Sequence, residues 1–450
     1  MSIKYTIHGG AQEVTGANHL LEINSKKLLI DCGLFQGAHT AEEKNYEEFP
    51  YSPADMDILF ITHAHLDHIG RIPKLVREGF NGKIISTSPT RDIAELMLDD
   101  SLGILTKEAH RDNRDPLYNE EDIYKAMDLW GTVDYDKEFN IDEIKVVFRD
   151  AGHILGSAMI ELEIEGRKIV FTGDLGNPPV PLLKPTYELK KADYLIIEST
   201  YGNKEHEDRD KRKLKIERAI EETVRRGGTL MIPAFSIERT QELLFEINDL
   251  AENGRIPKVP IFLDSPLAIN VTKVYKKYDK LYNKNAKYII DSGDDVFNFP
   301  GLKLTLTTEE SKAINDVGGA KVVIAGSGMS TGGRIIHHEK RYLSDPRSIL
   351  LLVGFQAAGS LGRQLVEGVR RVKIFGDEVE VNATIESVRG YSAHPDMNGL
   401  FDFVEKISNL KKVFVVQGEA QASLFFSQRI RDYLGLNATA PRIGDSFELM

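Results

Sequence analysis

Residues 63–68 read His63-Ala64-His65-Leu66-Asp67-His68, three imidazoles and a carboxylate in six positions. The run before them, Asp57-Ile58-Leu59-Phe60-Ile61-Thr62, is largely apolar and predicts a buried strand over 58–62 that runs into a loop. Such a loop can supply two metal ions at once. His63 and His65, two apart, can face one ion, and Asp67 and His68 can face a second. Ordinary core or surface histidines are the competing reading, and four ligand-type side chains at one strand end speak against it.

Three more strand ends carry a ligand-type side chain beside glycine: Asp31-Cys32-Gly33, Ala151-Gly152-His153 and Gly173-Asp174-Leu175-Gly176. Singly, each reads as a turn or cap. Their recurrence beside the hexapeptide makes them informative, and glycine permits close approach of backbone and metal. The chemistry that fits is a two-metal hydrolase, in which Asp174 bridges ions about 3.5–4 Å apart that bring a bound water to a pKa of about 7 and hold hydroxide for attack. Imidazoles with carboxylates suit two Zn2+, and manganese also fits. Asp31 is expected to orient a ligand histidine rather than bind metal.

The elements that must position these residues form two patterns. In the first two hundred residues, strands are predicted over 5–8, 19–23, 27–31, 58–62, 83–87, 145–149, 158–164, 168–172 and 194–198, with helices near 69–78, 89–110 and 120–130. This suggests paired sheets covered by helices. After Tyr201-Gly202 comes a charge-rich helix over 205–226, then strand-turn-helix units with strands over 229–233, 260–264, 321–325 and 349–353, the pattern of a parallel, doubly wound sheet. The tail predicts strands over 379–388 and 412–417 and helices near 395–406 and 419–434.

The chain has 450 residues, 41% hydrophobic and 28% charged, which suits two or three soluble domains. No apolar run approaches the ~20 residues that span a bilayer, so no membrane partner is expected. The N-terminus shows no secretory pattern, and Cys32 is the only cysteine, both in keeping with a cytoplasmic location. A net charge of −12 argues against broad nonspecific nucleic-acid binding but leaves room for a local basic groove.

Asp31, His63-x-His65-x-Asp67-His68, His153 and Asp174 resemble the four metal motifs of the metallo-β-lactamase fold. Glu198 in Ile197-Glu198-Ser199-Thr200-Tyr201-Gly202 and His394 in Ser392-Ala393-His394-Pro395-Asp396 resemble the first two motifs of its β-CASP subgroup. The glycine-rich segments 326–334 and 354–363 are similar to those of RNA-processing members, which include the endonuclease subunit of the polyadenylation factor and its bacterial and archaeal homologues. The resemblance covers nearly the whole chain. It implies a metallo-β-lactamase αββα sandwich over 1–202 and 376–450, with a β-CASP domain, a parallel sheet flanked by helices, inserted over 203–375. It implies hydrolysis of single-stranded RNA in the cleft between the domains. His63, His65 and His153 would bind one metal, Asp67 and His68 the other, with Asp174 bridging. His394 would protonate the leaving oxygen, held by Glu198, which raises its pKa.

The chain departs from the subgroup at its third motif. RNA-specific members carry histidine there, and Val415-Val416-Gln417-Gly418-Glu419 carries glutamine. An amide oxygen is a poorer zinc ligand than imidazole, so either the second metal site is weak or Gln417 only hydrogen-bonds beside a normal one. Ser327, Gly328, Ser330 and Thr331 are expected to contact RNA phosphates from a glycine-rich turn that opens a helix, with Arg334 and Arg363 on the RNA backbone and salt bridging as their alternative. A metal-dependent ribonuclease fits best. The chain ends soon after the first fold closes, without the extra C-terminal domain of RNase J enzymes, which favours endonucleolytic over exonucleolytic cleavage. A small-molecule metallo-hydrolase, an RNA-binding subunit with catalysis weakened by Gln417, and a DNA nuclease are the other readings. A homodimer is left open.

Overall fold

The computed structural model describes residues 2–37, 39–206, 211–354, 356–357 and 359–450. Within the expected helix over 205–226 and the glycine-rich segment 354–363, residues 207–210, 355 and 358 lie outside the described residues. The chain forms two compact units. The first comprises Met1–Pro179, Lys184–Glu205 and Ala393–Met450, the second Val180–Leu183 and His206–Ser392.

The first unit holds two seven-stranded sheets among the described residues. One runs, in spatial order, Ser446–Glu448, Ile3–Gly9, Asn18–Ile23, Lys26–Ile30, Ile58–Phe60, Lys83–Thr87 and Trp130–Val133. The other runs Ala438–Thr439, Lys412–Val416, Tyr194–Glu198, Arg167–Phe171, Ala158–Ile164, Ile144–Asp150 and Phe139–Ile141. Their facing side chains share one core, with Tyr5, Ile7, Leu28 and Phe60 from the first sheet against Phe148, Ile160, Phe171 and Phe414 from the second. The opposite face of the second sheet packs Leu195, Ile197, Val413 and Val415 against Leu400, Val404, Phe426 and Ile430 of the helices Met397–Glu405 and Ala420–Leu434. Strands clad on both faces read as unbroken apolar runs, which is why Tyr194–Glu198 is buried at every residue.

The second unit is built on a parallel sheet in the order Leu302–Leu304, Ile261–Leu263, Lys321–Ala325, Thr229–Pro233, Ile349–Val353 and Thr384–Val388. Pro266 opens the helix after Ile261–Leu263, where the Ser265 side chain accepts from the Ala268 N–H and Pro266 gives up no needed donor. The single strand expected over 379–388 is two strands in two sheets. Asp377–Glu380 pairs only with Arg371–Ile374, and Thr384–Val388 joins the main sheet. Between them the N–H groups of Asn382 and Ala383 both bond the carbonyl of Leu343, which breaks the ladder. The expected return to the first fold at 376 thus falls before the last strand of the second unit's sheet, and the second unit runs on to Ser392. Trp130, expected at a helix end, starts a strand, and the helix Glu120–Asp128 stops just short of it.

Candidate active site

Except for His394, the ligand-type residues singled out in the first unit lie at or just past the end of a strand. Ile58–Phe60 leads into His63 and His65, and the one-turn helix Leu66–Ile69 carries Asp67 and His68. Lys26–Ile30 ends at Asp31, Ile144–Asp150 precedes His153, Arg167–Phe171 precedes Asp174, and Tyr194–Glu198 ends at Glu198. Two glycines make this crowding feasible, against protein rather than against metal. A Cβ on Gly33 would stand 1.5 Å from the carbonyl oxygen of Asp67, and one on Gly173, whose φ is +53°, would meet the Thr62 side chain at 2.6 Å.

The structure brings these side chains into two adjoining groups that share Asp174. In the first, Nε2 of His63 is 3.0 Å from Nδ1 of His65 and 3.5 Å from Oδ2 of Asp174. Nε2 of His153 is 3.3 Å from the same His65 nitrogen and 3.6 Å from the same Asp174 oxygen. In the second, Nε2 of His68 lies 3.4 Å from Oδ1 of Asp174 and 3.7 Å from Oδ2 of Asp67. Asp174 therefore gives one carboxylate oxygen to each group.

The electrostatics suit a cation. Burial, with the neighbouring imidazoles adding to it, lowers the pKa of His63 and His153 well below the usual histidine value and that of His65 to about 4. These rings are neutral at pH 7 and keep the lone pairs a metal requires. Burial raises Asp67 to about 6. Burial also opposes the charge on His68, but Asp174, Asp31 and Asp67 outweigh it and raise its pKa. Four imidazoles and two carboxylates packed this tightly form a divalent-metal site.

Asp31 stands behind the second group. Its Oδ1 accepts from the Thr62 N–H at 2.8 Å, and its Oδ2 accepts from Thr62 Oγ1 and faces His68 Nδ1, both at 2.7 Å. Asp31 makes these contacts from a left-handed backbone, φ +60°. Thr62 is a member of the site that the sequence did not disclose. Its hydroxyl also lies 3.1 Å from His63 Nδ1, so it ties Asp31 to both histidines. In sequence it is only the β-branched end of a strand.

Glu198 and His394 form the third constellation. Both Glu198 oxygens lie 3.0 Å from His394 Nδ1, which is 4.0 Å from Asp174 Oδ2. Glu198 is buried, and its Oε1 also accepts from the Leu175 N–H at 2.7 Å. Burial lowers the His394 pKa, but Glu198 and then Asp174 outweigh it and lift it to about 9. Gln417 lies beside the second group, with its Nε2 3.2 Å from His68 Nε2.

The residues expected to touch RNA lie in the second unit and divide by their partners. Arg334 donates to Asp264 Oδ1 at 2.7 Å and to the carbonyls of Thr305 and Leu306, so the salt-bridge alternative holds for it. Ser330 is buried and its hydroxyl donates to Glu339. Gly328 is buried under the Phe235 ring. The loop amides expected to cradle a phosphate are used inside the loop: Ser327 Oγ accepts from the N–H groups of Thr331 and Gly332 at 3.0 and 3.2 Å. Thr331 is exposed, and Arg363 is exposed and paired with Glu367.

Sandwiched sheets with a histidine-aspartate centre at their strand ends define a metallo-hydrolase. The chain belongs to the metallo-β-lactamase superfamily and to its β-CASP group. It matches the metallo-beta-lactamase superfamily over residues 14–195, the Beta-Casp domain over 240–365 and the Zn-dependent metallo-hydrolase RNA specificity domain over 378–441. It is 36% identical to Ribonuclease TTHA0252 of Thermus thermophilus over 92% of this chain and 93% of that one. It is 34% identical to an RNase J-like protein of Methanocaldococcus jannaschii over 96% and 97% of the two chains. It is also 32% identical to the transcription termination factor FttA of Thermococcus kodakarensis, over 99% of this chain and 71% of that one. A solved structure of a protein of unknown function from Enterococcus faecalis shares the fold at TM-score 0.59 and 11% identity, with all of both chains covered.

Proposed function

We propose that the chain is a metal-dependent ribonuclease that hydrolyses RNA phosphodiester bonds endonucleolytically with two zinc ions. The carrying observation is the divided Asp174 carboxylate, one oxygen in each ligand group, with the Glu198–His394 pair beside it. Relatives named as ribonucleases and the match to an RNA specificity domain support RNA as the substrate. Zinc is supported by the imidazole-rich donor set, and the spacing is compatible with it. A tetrahedral ion with Zn–N bonds of about 2.0–2.1 Å sets its ligand atoms roughly 3.3 Å apart. Four of the six separations in the first group are of that size, at 3.0, 3.3, 3.5 and 3.6 Å.

His63, His65, His153 and Asp174 would hold one ion, and Asp67, His68 and Asp174 the other, with Asp31 and Thr62 fixing the rings. Bound divalent ions supply an activated water and neutralise charge on the scissile phosphate. The chain's own residues do the rest. His394, protonated below a pKa of about 9, gives its proton to the leaving oxygen. Glu198 keeps it charged and oriented, and is itself fixed by the Leu175 N–H. In the second unit the exposed Thr331 side chain and the Arg363 guanidinium are the groups offered to RNA phosphates.

The test is to incubate purified protein with end-labelled single-stranded RNA, matching DNA and a generic ester, with and without chelator. Internal cleavage of RNA alone, abolished by chelation and restored by zinc, is expected. Ester turnover with intact RNA would make the protein a small-molecule hydrolase. RNA binding without cleavage would make it a binding subunit.

A further inference from the structure

Gln417 follows the strand Lys412–Val416, is 3% exposed and has a left-handed backbone, φ +47°. Its position is fixed on every side. Its N–H donates to the Gly10 carbonyl at 2.7 Å, and its carbonyl accepts from the Ser199 N–H and from Thr200 Oγ1. Its side-chain Nε2 donates to the Val14 carbonyl at 2.8 Å and lies 3.2 Å from His68 Nε2. Its Oε1 points the other way, into the space a Gly10 Cβ would fill at 2.0 Å, and has no hydrogen-bond partner among the described residues.

The orientation of this amide decides what it can do. Turning it over would press Oε1 against the Val14 carbonyl oxygen, two acceptors with no proton between them. The face toward His68 is therefore an N–H, which cannot ligate a cation. His68 is fixed from behind by Asp31, whose Oδ2 lies 2.7 Å from its Nδ1. Its Nε2, the nitrogen it would offer to an ion, faces the Gln417 N–H as well as Asp67 and Asp174.

We propose that Gln417 is a positioning residue whose amide presents an N–H, and no oxygen, to Nε2 of His68, so that a second divalent ion binds among Asp67, His68 and Asp174 only by displacing that N–H from the nitrogen it must reach. The first group keeps its full set of imidazoles. This rests on reading the two groups as metal sites. Its prediction is opposite in sign to that of a glutamine acting as a weak oxygen ligand.

Titrating metal-stripped protein with Zn2+ alone, by calorimetry checked with elemental analysis, separates the two. The wild type should take one tight equivalent and a second at least tenfold weaker. Gln417→Leu removes the donor and any oxygen ligand, and should tighten the second equivalent roughly fivefold, the worth of one hydrogen bond, leaving the first unchanged. Leucine is strained at a positive φ. Gln417→Asn, which tolerates that backbone and is one methylene too short to reach His68, should tighten the second equivalent as well. An unchanged first equivalent and circular dichroism spectrum show that each variant is folded. A second equivalent weakened or unmoved in the folded variants, or two equally tight ions in the wild type, overturns the proposal. A chain that takes up no divalent ion overturns the metal reading itself, and this proposal with it.

Discussion

Both carboxylate oxygens of Glu198 stand 3.0 Å from Nδ1 of His394, an imidazole that belongs to neither of the two ligand groups. The His394 pKa is raised to about 9, so its acid form is present at neutral pH and is lost as pH rises through that value. RNA cleavage should fall on the alkaline side. Glu198→Gln keeps the shape and removes the charge, and should bring that limb down by about one unit or more. His394→Ala should cost about 10²–10⁴ in rate with metal content unchanged. An alkaline limb that stays in place in Glu198→Gln would falsify the pairing as its cause.

Asp31 satisfies the Thr62 N–H, the Thr62 hydroxyl and His68 Nδ1 together. Asp31→Ala should lower divalent-metal affinity by about 10–100-fold, as loss of a partner behind a ligand typically does. Asp31→Asn suits the left-handed backbone and should lose less. Competition with a chromogenic chelator measures both, and equal affinity in all three proteins would exclude the role.

Gly33→Ala places a Cβ 1.5 Å from the Asp67 carbonyl oxygen, where only backbone movement can relieve the clash. A destabilisation of more than about 4 kcal/mol, or no soluble protein, is expected. Thermal denaturation decides it. A near-native melting temperature would mean that the Asp67 helix moves freely, contrary to the packing described.

Arg334 and Arg363 look alike in sequence, each beside a glycine-rich turn, and should behave oppositely. Arg334→Ala removes one charged partner of buried Asp264, which keeps His338, Ser311 and Thr305, and should cost roughly 1.5–3 kcal/mol of stability, leaving the salt slope of RNA affinity untouched. Arg363→Ala breaks only an exposed pair with Glu367, so it should barely change the melting temperature and should reduce the salt slope by about one. Fluorescence anisotropy across a salt series separates them.

The contrast between these arginines shows where sequence stops being readable. The candidate ligand residues were legible as a cluster because their types are distinctive and gather at strand ends, with His63, His65, Asp67 and His68 in one run. The partners of Arg334 were not, because Asp264 comes from a strand distant in the chain and only the parallel sheet brings it close. Thr62 carried no chemical signature beyond β-branching. Strand positions were legible where both faces are buried, as in Tyr194–Glu198 and Ile349–Val353. The segment 379–388 misled because both of its halves are extended, and only the Leu343 carbonyl that accepts from Asn382 and Ala383 divides them. Gln417 was visible as a departure, but its effect depends on which end of the amide faces His68.

The order of the chain has its own consequence. Every residue of both ligand groups has been added to the chain once Asp174 is in place, and Glu198 follows soon after. His394 and the strand Lys412–Val416, which lies beside Tyr194–Glu198, emerge only after the whole second unit. A chain cut ahead of Ala393 therefore keeps every residue of both ligand groups and lacks His394.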